Sequence, residues 1–276
     1  MIKRIVVLVI LLSLTTICYS QRPRANINGN YLLKTAWGGS SPFNVFAPDG
    51  STLGCHANAF AQIMYFHRLA PYGKVSYKCK NGTLISEDFS DYTPQWGIFV
   101  LNKKSAEKDV TATEETARFM YYIASIIRKD FGTDQYVDYP NDYHKKAIES
   151  HFRCTLSSYA KEVKSSIGHA LEVKIDLYKL MKAEIDAKRP VGFYYTDRKG
   201  GGHAVVIDGY TVNNNKIYFH ANFGWFGRSD GWYLLEEDLP KNIKELAMIK
   251  VVPKSVKRTE KKESQTDKSA TQSMPK

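Results

Sequence analysis

The chain is short of several things that would have settled its class at once. It has only four Cys among 276 residues, too few for a disulfide-dense scaffold or a zinc-ribbon protein. No apolar run reaches the roughly 18–20 residues of a bilayer span; the longest, at the N-terminus, is shorter. No internal repeat is visible. A basic stripe interleaved with aromatics is missing, as are recognition-helix, zinc-finger and RNA-binding signatures, so the net charge of +11 does not read as a nucleic-acid footprint. Part of that excess sits in the tail, where 254–276 carry seven Lys/Arg against Glu260, Glu263 and Asp267. What is present is ordinary globular material: 43% hydrophobic and 24% charged residues, enough to exclude a wholly disordered chain. The 18 Tyr suggest a well-filled core and a substrate cleft.

Residues 1–20 read as a secretory signal. Lys3 and Arg4 are the positive start, 5–12 the apolar stretch, and Ser20 before Gln21 a plausible cleavage point. The expected location is secreted, periplasmic or on the cell surface; membrane association is expected only with a lipid on Cys18, which the bulky Ile17 disfavours. Removing the segment leaves Cys55, Cys79 and Cys154. An odd number in an exported chain points to one unpaired thiol: Cys79 bridged to Cys154 with Cys55 left over, or all three reduced. Residues 254–276 have almost no apolar content and read as a disordered polar tail.

Between these ends the pattern divides. A helix is expected from Cys55, with Ala59, Phe60, Ile63, Met64 and Phe66 apolar and Pro71 and Gly73 stopping it. Residues 74–100 are mixed, with a turn at Asn81-Gly82. Further helices are expected at 113–130, 141–152 and 175–188, the last ended by Pro190. Beyond it, period-two patterning predicts strands at 191–195, 204–210, 216–221, 231–235 and 247–252. A helix-rich first half followed by an antiparallel, strand-rich second half is an α+β arrangement, whose cleft should lie where the halves meet.

Three short stretches carry reactive side chains. Gly54-Cys55-His56 opens the first helix, where unsatisfied N–H groups and the helix dipole favour a thiolate, although a Cys at a helix start is often structural. Gly200-Gly201-Gly202-His203 leads into an apolar strand, so that His203 is either a cleft residue or merely a loop–strand junction. His220-Ala221-Asn222-Phe223-Gly224-Trp225, closed by Ser229-Asp230-Gly231, offers Asn222 as an acceptor for the far ring nitrogen of His203 and Trp225 as its shield. The plainer reading has His220 and Asn222 satisfying turn backbone. A thiol, an imidazole and an orienting amide are together the parts of thiol acyl transfer.

The order Cys…His…Asn matches papain-like enzymes, and the sequence resembles the streptopain-type (C10) cysteine peptidases. The resemblance is carried by Leu33-Lys34-Thr35-Ala36-Trp37 with Ser41-Pro42-Phe43-Asn44, by Gly54-Cys55 through Ala61-Gln62-Ile63-Met64 to His67, by Arg189-Pro190-Val191, and by the His203 and Asn222 stretches. It covers roughly residues 30–240. It implies a papain-like two-lobed fold over 21–253 and a cysteine endopeptidase acting on polypeptides. Cys55 would be the nucleophile, His203 the general acid and base, and Asn222 the orienting group. Gly39, Gly54, Gly202 and Trp225 would shape the site, and no cofactor or metal is implied. This sequence departs from the family at four places. The oxyanion-donating Gln falls at Gly39, which leaves open as an alternative a weak or inactive homologue that binds peptides or proteins. Phe223 replaces a Trp, and His56 follows the nucleophile where a small apolar residue is usual; solvent is its expected surrounding. Only residues 21–30 precede the matching region, against a long inhibitory prosegment in the family, so restraint is either unneeded or supplied by a separate inhibitor protein.

Overall fold

A computed structural model describes residues 23–24, 26–137, 144–162, 167–238 and 243–255. The expected signal at 1–20 and the tail beyond 255 lie outside these residues. The first half holds α1 (Cys55–Phe66), a hairpin of β1 (Lys74–Lys78) and β2 (Leu84–Asp88), the short α2 (Lys103–Ala106), α3 (Val110–Ile126) and α4 (Lys145–His151). Then come β3 (Cys154–Glu162), α5 (Ile167–Asp186), β4 (Val191–Asp197), β5 (Gly202–Asn213), β6 (Lys216–Asn222), β7 (Gly231–Tyr233), α6 (Leu235–Asp238) and β8 (Ile243–Pro253). Strands three to eight make one sheet in the order β3-β8-β4-β5-β6-β7, with every pairing antiparallel. The α+β layout expected from the patterning is the one observed.

The sheet is two-sided, and the side-chain alternation shows how. Val191 and Phe193 on β4, Val205 and Ile207 on β5 and Leu246 and Met248 on β8 pack with Leu177, Met181 and Ile185 of α5. Their neighbours Tyr194, Ala204, Val206, Ala247 and Ile249 point the other way, into the core built by α1, α3 and the β1–β2 hairpin. Full burial of side chains such as Phe119, Ile123 and Phe193 contributes about 1.5–3 kcal/mol each. The sheet is thereby clamped between α5 and α1, and the start of β5 is held beside the start of α1.

Local chemistry sets the element ends. The helix expected at 113–130 begins earlier, at Val110, because Asp109 caps it by accepting from the Ala112 N–H at 3.0 Å. It stops at Ile126, so Lys129 and Asp130 belong to the following turn. The strand expected at 231–235 ends at Tyr233, where Asp238 accepts from the Leu234 N–H at 2.8 Å and draws the chain into α6. Strand β3 has no counterpart in the sequence reading. Its run Cys-Thr-Leu-Ser-Ser-Tyr-Ala-Lys-Glu is half polar, and its pairing along the whole inner length of β8 decides its conformation. The expected helix at 141–152 is seen over Lys145–His151, its first part lying outside the described residues. Cys79 and Cys154 are separate, buried free thiols, which settles the question of a bridge between them. Among the described residues no helix is long and apolar enough to cross a membrane.

Candidate active site

A cavity of about 620 Å³ opens between the start of α1 and the β4–β5 end of the sheet. Gly39, Gly54, Cys55, Gly202, His203 and Trp225 all line it. The six residues come from four separate chain segments, brought together because α1 packs directly on β5. Gly54 makes the turn into α1 at φ +85°, a left-handed conformation that side-chain-bearing residues rarely adopt. At Gly202 the constraint is space, since a Cβ there would lie 2.6 Å from the Tyr195 carbonyl.

Cys55 is half-buried at the first position of α1. Burial pushes its thiol up, but the hydrogen bond and charge of His203, helped by the N–H groups of Ala204 and His56, outweigh that. The net effect holds Cys55 below an ordinary thiol. His203 Nε2 lies 2.9 Å from the Phe223 carbonyl oxygen. A carbonyl can only accept, so Nε2 carries the proton and, in the neutral ring, Nδ1 is the lone-pair nitrogen left for the thiol. The imidazole is packed in a triangle of rings, with Trp225 at 4.6 Å and Phe223 at 5.8 Å, the latter nearly parallel at 17°, and 5.2 Å between those two.

Asn222 stands one step further back than expected. The bond foreseen from His203 to its side chain is made instead to the Phe223 backbone, because the Asn222 amide is fully engaged elsewhere. It donates to the Thr35 carbonyl at 2.7 Å and to Gln62 Oε1 at 2.9 Å, and accepts from Gln62 Nε2 at 3.0 Å and from the Gly224 N–H at 3.0 Å. The network fixes the turn that presents the Phe223 carbonyl. Asp230 pins the peptide just before it by accepting from the Phe223 N–H at 2.7 Å; its burial raises that carboxyl to about 6. Asn58 adds a third anchor, donating to the Gly224 carbonyl at 2.9 Å.

Gln62 and the Phe223 carbonyl are the parts that sequence reasoning missed. A fully buried Gln in the apolar run Ala61-Gln62-Ile63-Met64 was a readable signal, since a buried amide must find partners. A backbone carbonyl leaves no such mark. His220 is a core residue: its Nδ1 meets Asp208 Oδ1 at 2.6 Å under the stacked ring of Tyr31. His56 corrects the solvent reading, since its ring nitrogens are buried among Tyr136, His144 and Tyr194, 5.1–5.6 Å away between ring centres. That burial, with the charge of Lys129, lowers its pKa to about 4. Gly39 abuts Gly54, a Cβ built there lying 3.4 Å from the Gly54 nitrogen. Among the described residues no group of three or more His, Cys, Asp or Glu is placed to hold a metal ion.

The model of the peptidase C10 family matches residues 37–233. Streptopain from Streptococcus pyogenes is 25% identical over 201 residues, covering 69% of this chain and 47% of that protein. A streptopain from serotype M1 is 43% identical over 53 residues, 19% of this chain and 12% of that one. The chain thus spans about half the length of the first of these relatives. Among solved structures, the active wild-type interpain A cysteine protease of Prevotella intermedia superposes with a TM-score of 0.63 at 22% identity, over 80% of this chain and 93% of that one. A prointerpain A fragment from the same organism gives 0.60 at 20% identity, over 80% and 70%. With the family match running from Trp37 to Tyr233, the chain belongs to the peptidase C10 family.

Proposed function

We propose that the protein is a cysteine endopeptidase in which Cys55 is the nucleophile, His203 the general acid and base, and Asn222 a residue that positions His203 through the Phe223 carbonyl. The observation that supports this reading is the meeting of Cys55 and His203 on the wall of one cavity, where the imidazole lowers the thiol's pKa and its Nε2 lies 2.9 Å from the Phe223 carbonyl oxygen. The thiol passes its proton to His203 Nδ1, and the thiolate attacks a peptide carbonyl in the cleft. The Cys55 N–H at the helix start is the donor for the resulting oxyanion. His203 then protonates the leaving amine, releasing one peptide and leaving a thioester on Cys55. A water molecule, deprotonated by His203, attacks the thioester and frees the acid and the thiol.

Trp225 and Phe223 keep water off the His203–Phe223 bond, which preserves its strength in a low-dielectric setting. The substrate class that fits is an extended polypeptide: the cleft is open, and its walls combine aromatic rings with the side-chain-free Gly200–Gly202 stretch. Residues 1–20 support export of the chain before it acts.

The test is hydrolysis of casein under reducing conditions by the chain from residue 21, beside Cys55→Ala and His203→Ala. Cleavage that disappears in both variants is the expected outcome. Cleavage that survives in Cys55→Ala overturns the assignment. Mass analysis of the exported protein's N-terminus checks removal of residues 1–20.

A further inference from the structure

Lys129 is fully buried, and the chemistry described so far does not use it. It sits in the turn after α3, and its side chain runs beneath Gly54, the residue just before Cys55. A Cβ built on Gly54 would lie 3.4 Å from Lys129 Cε and 3.0 Å from the Tyr136 hydroxyl. The ammonium donates to the carbonyls of Thr133 and Gln135 and lies 5.4 Å from the centre of the Tyr136 ring. Those partners satisfy its donors without cancelling its charge. The loop it holds supplies Asp134 and Tyr136 to the cavity wall. Its own carbonyl is anchored in turn, accepting from the Tyr77 hydroxyl at 2.7 Å. A lysine is costly to bury, so its place against the residue preceding a nucleophile calls for a reason.

We propose that Lys129 is a positioning residue for Cys55: its buried ammonium clamps the 133–136 loop against the Gly54–Cys55 turn and supplies a fixed positive charge that keeps Cys55 a thiolate at lower pH. The inference rests on the reading of Cys55 as nucleophile. Around ammonium and thiol stand Asp130 and Asp134 from the loop, His56 from α1, Tyr77 and Cys79 from the hairpin, Tyr136, and His203 across the cleft. Burial lowers the ammonium's pKa, while Asp134, the Cys55 thiol and Asp130 oppose the fall.

The experiment follows alkylation of Cys55 by iodoacetamide against pH, quantified on the Cys55 peptide by mass spectrometry, alongside kcat/KM on casein-derived peptides. Lys129→Gln keeps donors for the two carbonyls but removes the charge, Lys129→Met removes both, and Lys129→Arg keeps both. The neutral variants are expected to move the alkylation midpoint and the acid limb of kcat/KM upward by roughly one pH unit. A unit charge about 10–12 Å away at an effective dielectric of about 20 gives a shift of that size. Lys129→Arg is expected to restore the wild-type profile. An unmoved midpoint in folded Lys129→Gln, beside an inactive Cys55→Ala, overturns the role of Lys129 alone. So does failure of both neutral variants to fold while Lys129→Arg folds, which makes the residue structural. Full cleavage by Cys55→Ala overturns the nucleophile reading and this inference with it.

Discussion

The most discriminating consequence of the geometry concerns Asn222 and Gln62. If Asn222 acted directly on the imidazole, its loss would damage turnover and leave stability nearly untouched. In the arrangement described here it acts through the turn that carries the Phe223 carbonyl, so stability and turnover should fall together. Asn222→Ala removes four hydrogen bonds, to the Thr35 carbonyl, both ends of the Gln62 amide and the Gly224 N–H. Both amides are buried, and each buried group left without a partner costs about 1–3 kcal/mol. Three stranded groups therefore give a loss of about 3–9 kcal/mol, a large part of the roughly 5–15 kcal/mol that holds a domain together. Gln62→Ala breaks the same reciprocal pair, together with the bond from the Thr35 hydroxyl at 2.7 Å. Its cost should be similar, and the double variant should fall short of the summed single losses by about 1–2 kcal/mol. The assay is urea unfolding in a Cys55→Ala background, which prevents self-digestion, with turnover measured in the matching active chains. If Asn222→Ala abolished cleavage at unchanged urea midpoint while Gln62→Ala behaved as wild type, the indirect role would be refuted.

Three further outcomes follow from the same structure. His56 and His144 have pKa values lowered to about 4 and about 3 by burial, so below pH 6.5 the unfolded chain takes up protons that the folded one refuses. The stability they contribute is complete above pH 6.5 and is lost as pH falls toward 4, and between pH 7 and 4.5 His56 alone accounts for about 2–3 kcal/mol. His56→Leu should therefore flatten the decline of the urea midpoint over that range, and an unchanged decline would contradict the burial argument. Gly54→Ala must hold φ near +85° and bring a methyl to 3.0 Å from the Tyr136 hydroxyl. It should cost at least about 1–2 kcal/mol in thermal or urea unfolding and depress turnover. Gly39→Gln has room for its Cβ at 3.4 Å from the Gly54 nitrogen, and a restored oxyanion donor should raise kcat by roughly 10–100-fold; an unchanged kcat would show that position 39 does not face the oxyanion.

Much of this site was legible before any coordinates because its side chains break local rules. A Cys behind a glycine at a helix start and a His after three glycines each conflict with simple packing, and such conflicts gather at functional places. The strands from 191 onward declared themselves by alternation, because each face of the sheet meets a different apolar partner. What stayed hidden was hidden for physical reasons. The 154–162 strand is half polar and exists through its pairing with β8, which no local pattern records. The direct partner of His203 is a backbone carbonyl, so the sequence pointed to the neighbouring Asn222 side chain instead. His56 looked like a surface residue because nothing near it in the chain announces Tyr136, His144 and Tyr194, which come from three other segments. Lys129 carried no local signal either, falling within the helix expected at 113–130.

The central claim is that acyl transfer passes through Cys55, and the most direct measurement is to catch that intermediate. The reduced chain is mixed with a peptide ester, quenched in acid within the first turnovers, and mapped by mass spectrometry. A single acyl adduct on the Cys55 peptide, missing in Cys55→Ala and formed far more slowly in His203→Ala, is the predicted result. Turnover of the ester with no adduct on Cys55, or with the acyl group on another residue, would contradict it.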